Sequence, residues 1–186
     1  PELVIAKTFA PVSCLSAEGE DLIAVGLETG KIILWRELQG STTMRAHQGL
    51  VKSLHFAPDA THLLSIGYGD RILDWDITSD PISEERRSDG ELFITASFHN
   101  GQPVIAYANN DDGFCGLRLN IGKRQKLPLK LDGDLIRLSR NGQFLAVVVG
   151  GDIRVFPMSD PSSYKTVLIE HAPIDFIVNN DGKQLL

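Results

Sequence analysis

The five histidines are the first candidates for chemistry, because imidazole binds metal ions and transfers protons near neutral pH. They are scattered along the chain, at His47, His55, His62, His99 and His171. Only His55 and His62 flank one predicted hairpin, and they could reach a common metal ion only if they shared a face. The spacing therefore predicts no metal site, and one structural histidine beside four ordinary ones.

Other motifs that would indicate catalysis or ligand binding are incomplete or missing. The stretch NNDDG, residues 109–113, offers oxygen atoms to calcium, but it lacks the ligand alternation and terminal Glu of an EF-hand loop. It is more typical of a solvated hairpin turn. The sequence has no Gly-x-Ser-x-Gly element, and VVVGGDIRV, 147–155, lacks the following helix that a phosphate loop needs. We expect a protein that is not an enzyme and carries no cofactor.

The charge of the chain argues against direct binding of nucleic acid by this segment. Its formal net charge is −6 and its pI is about 5.3, whereas phosphate contacts require clustered Lys and Arg. The one basic cluster, GKRQK at 122–126, is short and is interpreted as a solvated loop.

The cysteines and the hydropathy indicate an intracellular protein, in the cytoplasm or nucleus. Cys14 and Cys115 are far apart and form neither a CxxC motif nor a metal-ligand spacing, which favours a reducing compartment. No apolar run approaches the length of a membrane span and no signal peptide opens the chain, so we expect no contact with a membrane.

An internal repeat organises the whole chain. Turn residues recur at separations of 41, 41, 41 and 40 residues, at Gly19, Ala60, Gly101, Gly142 and Gly182. An aliphatic residue stands three positions after each, at Leu22, Leu63, Val104, Leu145 and Leu185. Such constancy indicates one structural unit repeated along the sequence.

Each unit reads as four short strands separated by turn residues. In the second unit these are VKSLHF, THLLSIG, RILDWDI and the more polar PISEERR, none with helical periodicity. Four strands in about forty residues predict an all-β fold, a β-propeller with four-stranded antiparallel blades. The units span approximately 12–46, 51–87, 92–127 and 133–168, and a fifth starts at 173–186.

The units resemble WD repeats, whose third strand ends in Trp-Asp. Trp75-Asp76 matches that dipeptide, and Trp35 stands forty residues earlier but is followed by Arg36. The corresponding position holds Leu119 in the third unit and Phe156 in the fourth. The resemblance implies a buried hydrogen-bonded tetrad that stiffens the blade. Its members here are His47, Ser65, Asp70 and Trp75, with Asp70 one position later than the usual spacing.

The resemblance also indicates how much of a propeller this sequence contains. WD-type propellers usually close with seven blades, whereas residues 1–186 supply about four and a half. We therefore expect an incomplete propeller, a fragment of a larger ring within a longer polypeptide.

The function expected from these features is a non-enzymatic scaffold for protein–protein interaction, which the resemblance places in multi-protein complexes. Two alternatives stay open at this point. One is an accessory or gating propeller of a serine-peptidase type of hydrolase with its catalytic domain elsewhere. The other is a WD-repeat subunit of a ribosome-biogenesis particle.

Loops at one end of the blades are the predicted binding face. They carry Glu28, His47, Gln48, Tyr68, Asp111 and Asp112. Tyr68 is an aromatic residue between glycines, where a purely structural role is hard to supply, and aromatics often carry binding energy. The acidic residues favour a basic peptide or partner surface.

Overall fold

Strands alone make up the regular structure of the described residues. A computed structural model describes residues 8, 10–68, 71–87, 91–99, 102–109, 114–119, 123–130, 135–160, 162–169 and 176–185. Sixteen strands there form four antiparallel four-stranded sheets. No helix in these ranges is long and apolar enough to cross a membrane. The chain divides into two compact units, Pro1–Ser88 and Asp89–Leu186.

The first unit contains two sheets in which strands adjacent in sequence are adjacent in space. The first sheet consists of β1 (Val12–Glu18), β2 (Leu22–Leu27), β3 (Lys31–Arg36) and β4 (Gly40–Arg45). The second consists of β5 (Val51–Phe56), β6 (His62–Gly67), β7 (Arg71–Asp76) and β8 (Ile82–Arg87). Apolar residues from both sheets form one core, and it includes Leu34, Val51, Leu63 and Trp75.

The second unit repeats this plan. Its first sheet consists of β9 (Glu91–His99), β10 (Gln102–Asn109), β11 (Phe114–Leu119) and β12 (Lys123–Lys130). Its second consists of β13 (Ile136–Leu138), β14 (Phe144–Val149), β15 (Asp152–Pro157) and β16 (Lys165–Val167). The core between these sheets includes Val104, Ala106, Leu145 and Phe156. Phe176 and Val178 pack on the opposite face of the last sheet.

The predicted turns lie where the repeat placed them. Gly19, Gly142 and Gly182 have φ of 63°, 64° and 68°, and Ala60 has φ of 58°. Gly101 lies outside the described residues. The left-handed backbone lets each hairpin reverse within a few residues, and glycine adopts it without a steric penalty. After the last turn, an isolated bridge pairs Val178 with Leu185.

The register confirms the position of the third-strand residues and corrects one alignment. Trp75 pairs with Leu63, Leu119 with Val104, and Phe156 with Leu145. In the first sheet, however, Trp35 pairs with Ile23, while Leu22 pairs with Arg36. The structural equivalent of Leu63 is therefore Ile23, not Leu22. A shift of one residue matters because successive side chains of a strand point to opposite faces.

The prediction that the basic cluster GKRQK forms a solvated loop is wrong for residues 123–126. Lys123–Lys130 forms β12, the outermost strand of its sheet, and Arg124 pairs with Arg118.

The glycines of the hairpin turns differ in how closely another part of the backbone approaches them. A Cβ on Gly142 would lie 2.7 Å from the carbonyl oxygen of Phe98, whereas one on Gly19 would meet nothing within 4 Å. Both residues have nearly the same φ. Glycine is thus required at residue 142 for space as well as for backbone conformation.

We expect Gly142→Ala to lower the free energy of unfolding by about 1–3 kcal/mol more than Gly19→Ala. Both variants carry a similar backbone strain of about 1 kcal/mol, and only Gly142→Ala also overpacks a contact with backbone. Urea denaturation of the two variants measures the difference. Equal losses would show that the approach to Phe98 imposes no constraint.

Candidate functional site

Three of the four residues predicted for the tetrad form a hydrogen-bonded chain in the first unit. Ser65 lies on β6 and is fully buried, and Trp75 on β7 is 5% exposed. The indole Nε1–H of Trp75 donates to Ser65 Oγ over 3.0 Å, and His47 Nε2 lies 2.9 Å from the same oxygen. One hydroxyl therefore joins a third-strand tryptophan to a residue of the linker between the two sheets.

Backbone contacts place His47 in this chain. It belongs to the linker after β4, and the N–H groups of Ala46 and His47 both donate to the carbonyl oxygen of Gly30. On the other side, a Cβ on Gly67 would lie 2.3 Å from His47 Nδ1. The imidazole occupies the space that a larger side chain at residue 67 would fill, so the linker is held against both sheets.

Burial keeps the His47 imidazole neutral. Loss of hydration, reinforced by the positive charge of Arg71, lowers the pKa of His47 from 6.5 to about 4. Its Nδ1 is buried and has no hydrogen-bond partner among the described residues. Asp70, the predicted fourth member, lies outside those residues, and its place in the tetrad stays a prediction.

The polar chain belongs to the second sheet alone among the sheets of the first unit. The position of the first sheet that corresponds to Ser65 holds Val25, opposite Ile33. The face of the first sheet that carries Val25 thus relies on apolar packing. This difference matches the sequence, in which the second repeat, 51–87, carries the fullest set of motif residues.

The predicted binding residues that the structure describes are Glu28, His47, Gln48 and Tyr68. Glu28 lies in the turn between β2 and β3, Gln48 lies in the linker before β5, and Tyr68 follows β6; all three are exposed. Tyr68 is 83% exposed, although its backbone N–H donates to Leu50 O. His47 is half-buried and bonded to Ser65.

The remaining members of that prediction are Asp111 and Asp112, and both lie outside the described residues. Whether Glu28, His47, Gln48 and Tyr68 bind a partner also stays a prediction, since exposure alone does not show binding. What the structure adds is the exposure of the Tyr68 ring and the bond between its backbone N–H and Leu50 O.

A histidine–aspartate pair in the second sheet escaped the sequence analysis. His62 Nδ1 lies 2.9 Å from Asp74 Oδ1, and Asp74 is buried. The two residues are twelve positions apart and meet because β6 and β7 pair antiparallel. No spacing in the sequence could reveal this contact. Within the described ranges, no group of three or more His, Cys, Asp or Glu residues is placed to hold a metal ion.

Comparison with known proteins identifies the fold. No protein-family model matches the chain, and no curated protein matches its sequence. Among solved structures, the chain is similar to the β-propeller domain of Cps50 (Swd1) from Myceliophteria thermophila, with a TM-score of 0.74 and 18% sequence identity. The match covers 97% of this chain and 64% of that chain. The chain therefore has a β-propeller fold, and its resemblance to WD-repeat propellers is confirmed at the level of the fold.

We expect Ser65→Ala to cost more stability than Ser83→Ala, a change of the same kind at an exposed residue of β8. Alanine at residue 65 leaves both the indole N–H and the imidazole Nε2 without a partner, at about 1–3 kcal/mol for each group. Chemical denaturation measures both losses. A Ser65→Ala loss no larger than that of Ser83→Ala would contradict the role of this hydroxyl.

The pH dependence of stability should report on His47. The folded pKa of about 4 lies below the usual 6.5, so the unfolded chain binds a proton that the folded imidazole does not. The free energy of unfolding should accordingly fall as pH drops from 6.5 towards 4, and this residue should contribute no pH dependence above that window. In His47→Gln, which does not titrate, the decline should be smaller. Superimposable pH profiles for the two proteins would exclude the effect.

Proposed function

We propose that this chain is a non-enzymatic scaffold for protein–protein interaction, a propeller segment of a larger protein that assembles a multi-protein complex. The observation that carries the proposal is Tyr68, a large aromatic side chain that is 83% exposed while its own backbone N–H is bonded to Leu50 O. An exposed ring of this size contributes nothing to the core, and aromatic side chains supply much of the binding energy at protein interfaces.

Contacts on the N-terminal side of Tyr68 support binding because they hold its backbone in place. Tyr68 follows Gly67, which packs against His47, and His47 is in turn bonded to Ser65. The Tyr68 N–H is bonded to the carbonyl of Leu50 in the linker. Less conformational entropy is lost when a partner docks on a residue whose backbone is already held.

Glu28 and Gln48 provide polar groups at the same end of the first unit, and His47 stands beside Gln48 in the linker. Polar groups around an aromatic anchor fix the orientation of a docked peptide and favour a partner of complementary charge. The negative charge of Glu28 favours a basic residue of the partner at that point. The proposed partner is a protein, and no direct contact with nucleic acid or a membrane is proposed.

An intracellular location, in the cytoplasm or nucleus, belongs to the same proposal. Cys14 is a free thiol that donates to Val51 O over 3.3 Å. Burial raises the pKa of Cys14 to about 11, so the thiol stays protonated at neutral pH. A protonated, half-buried thiol reacts slowly and serves as a small packing group. No described contact favours a hydrolase accessory propeller or a ribosome-biogenesis subunit.

We expect Tyr68→Ala to reduce capture of partner proteins from a cell extract while leaving stability unchanged. Leu38→Ala is the matched control, since Leu38 is 96% exposed and lies in the turn at the other end of the first sheet. Affinity purification with quantitative mass spectrometry compares both variants with the unmodified chain. Retention of every partner by Tyr68→Ala would show that the loops near Tyr68 are not the binding face.

A further inference from the structure

Gly49, in the linker between the two sheets of the first unit, differs from the other glycines described there. Its φ lies outside the left-handed range, and a Cβ placed on it would meet no described atom within 4 Å. Each of the others has a positive φ or would carry a Cβ in contact with a neighbouring residue; they are Gly19, Gly26, Gly30, Gly40 and Gly67. An alanine would therefore fit at residue 49, and the glycine leaves open space over the linker backbone.

The linker around Gly49 separates two of the predicted binding residues. A Cβ on Gly30 would lie 2.7 Å from the carbonyl oxygen of Gly49, so the turn between β2 and β3 contacts the linker. That turn carries Glu28, which is exposed. The residue after Gly49 contacts the second sheet, because Leu50 O accepts from the N–H of Tyr68. Gly49 thus lies in the short backbone segment between the turn that carries Glu28 and the exposed ring of Tyr68.

The ring of Tyr68 and the open backbone at Gly49 together suit a cationic side chain. A cation is attracted to the face of a tyrosine ring within about 6 Å of the ring centroid, and the planar guanidinium group of arginine also stacks on such a ring. Glycine permits close approach of a ligand to the backbone because it has no Cβ. A long side chain can therefore lie over residue 49 with its charged end at the ring.

Glu28 supplies the opposite charge at the border of this space. No ion pair joins Glu28 to another described residue. Lys31, the cation closest to it in sequence, lies with Ile33 on the face of the first sheet that carries Val25. The carboxylate of Glu28 is thus available to a partner, and a cation that contacts it forms a charge-assisted hydrogen bond.

We infer that the space over Gly49 binds an arginine or lysine side chain of a partner protein. The charged end of this side chain stacks on the ring of Tyr68 and pairs with the carboxylate of Glu28, and its aliphatic part packs on the backbone of residue 49. A nucleic acid does not fit this site, because its phosphates have the same charge as Glu28. The inference rests on the proposed function, and it adds the side chain that is recognised and a reason for the glycine.

Selection from a phage-displayed library of random peptides tests this chemistry on the whole chain. We expect the retained peptides to be enriched in Arg or Lys. Glu28→Gln removes the negative charge and should weaken the binding of those peptides about fivefold. Glu20→Gln is the matched control, since Glu20 is exposed in the turn between β1 and β2 at the other end of the first sheet.

Gly49→Leu tests whether the space itself is needed. Its Cβ meets no described atom, so its melting temperature should equal that of the unmodified chain, whereas its affinity for the selected peptides should fall at least about tenfold. Gly49→Ala should melt at the same or a higher temperature, because alanine restricts the unfolded chain more than glycine does. If Gly49→Leu is stable and binds the peptides with unchanged affinity, the inference is wrong.

If Gly49→Leu melts at a lower temperature, unchanged affinity of Glu28→Gln overturns the inference in its place. Retained peptides without an excess of Arg or Lys would also overturn it. In each of these cases the proposed function stands if Tyr68→Ala loses partners from the extract. If the chain captures no protein at all, the proposed function itself fails.

Discussion

The arrangement of the first unit depends on the hydrogen bonds of the Ser65 hydroxyl group. It is fully buried, and a buried polar atom is tolerated only when it is hydrogen-bonded. Trp75 supplies a donor from the neighbouring strand, and His47 supplies a ring nitrogen from the linker. The linker is also bonded to Gly30 in the turn between β2 and β3, so one polar chain joins the second sheet, the linker and that turn.

In the second unit, different hydrogen bonds hold neighbouring strands and turns together. Ser97 Oγ lies 2.9 Å from the carbonyl oxygens of both Ser139 and Arg140 and shares its one proton between them, which connects β9 to the turn before β14. Asn141 in that turn donates two hydrogen bonds, from its backbone N–H and its side-chain amide, to Asn180 in the turn of the following repeat. Turns of successive repeats thus stack on one another. Stability in such a chain comes from contacts between neighbouring repeats rather than from one central core.

Recognition of a partner protein is proposed for the loops around Tyr68, where an aromatic ring is 83% exposed and its backbone N–H is bonded to Leu50 O. The expectation of a basic partner depended largely on Asp111 and Asp112, which lie outside the described residues. Among the described loops at this end of the first unit, Glu28 supplies negative charge.

The sequence by itself determined the repeat, the strand content, the turn positions and the β-propeller fold, because hydrophobic alternation and turn residues are local signals that recur with a fixed period. It also identified Trp75, Ser65 and His47, since each stands at a characteristic place in the repeat. The tertiary structure alone decided that Ile23 rather than Leu22 faces Trp35, that Lys123–Lys130 is an edge strand, and that His62 meets Asp74. These features depend on which residues pair across strands, and a shift of one residue in the register, which composition and spacing do not determine, moves every side chain to the other face.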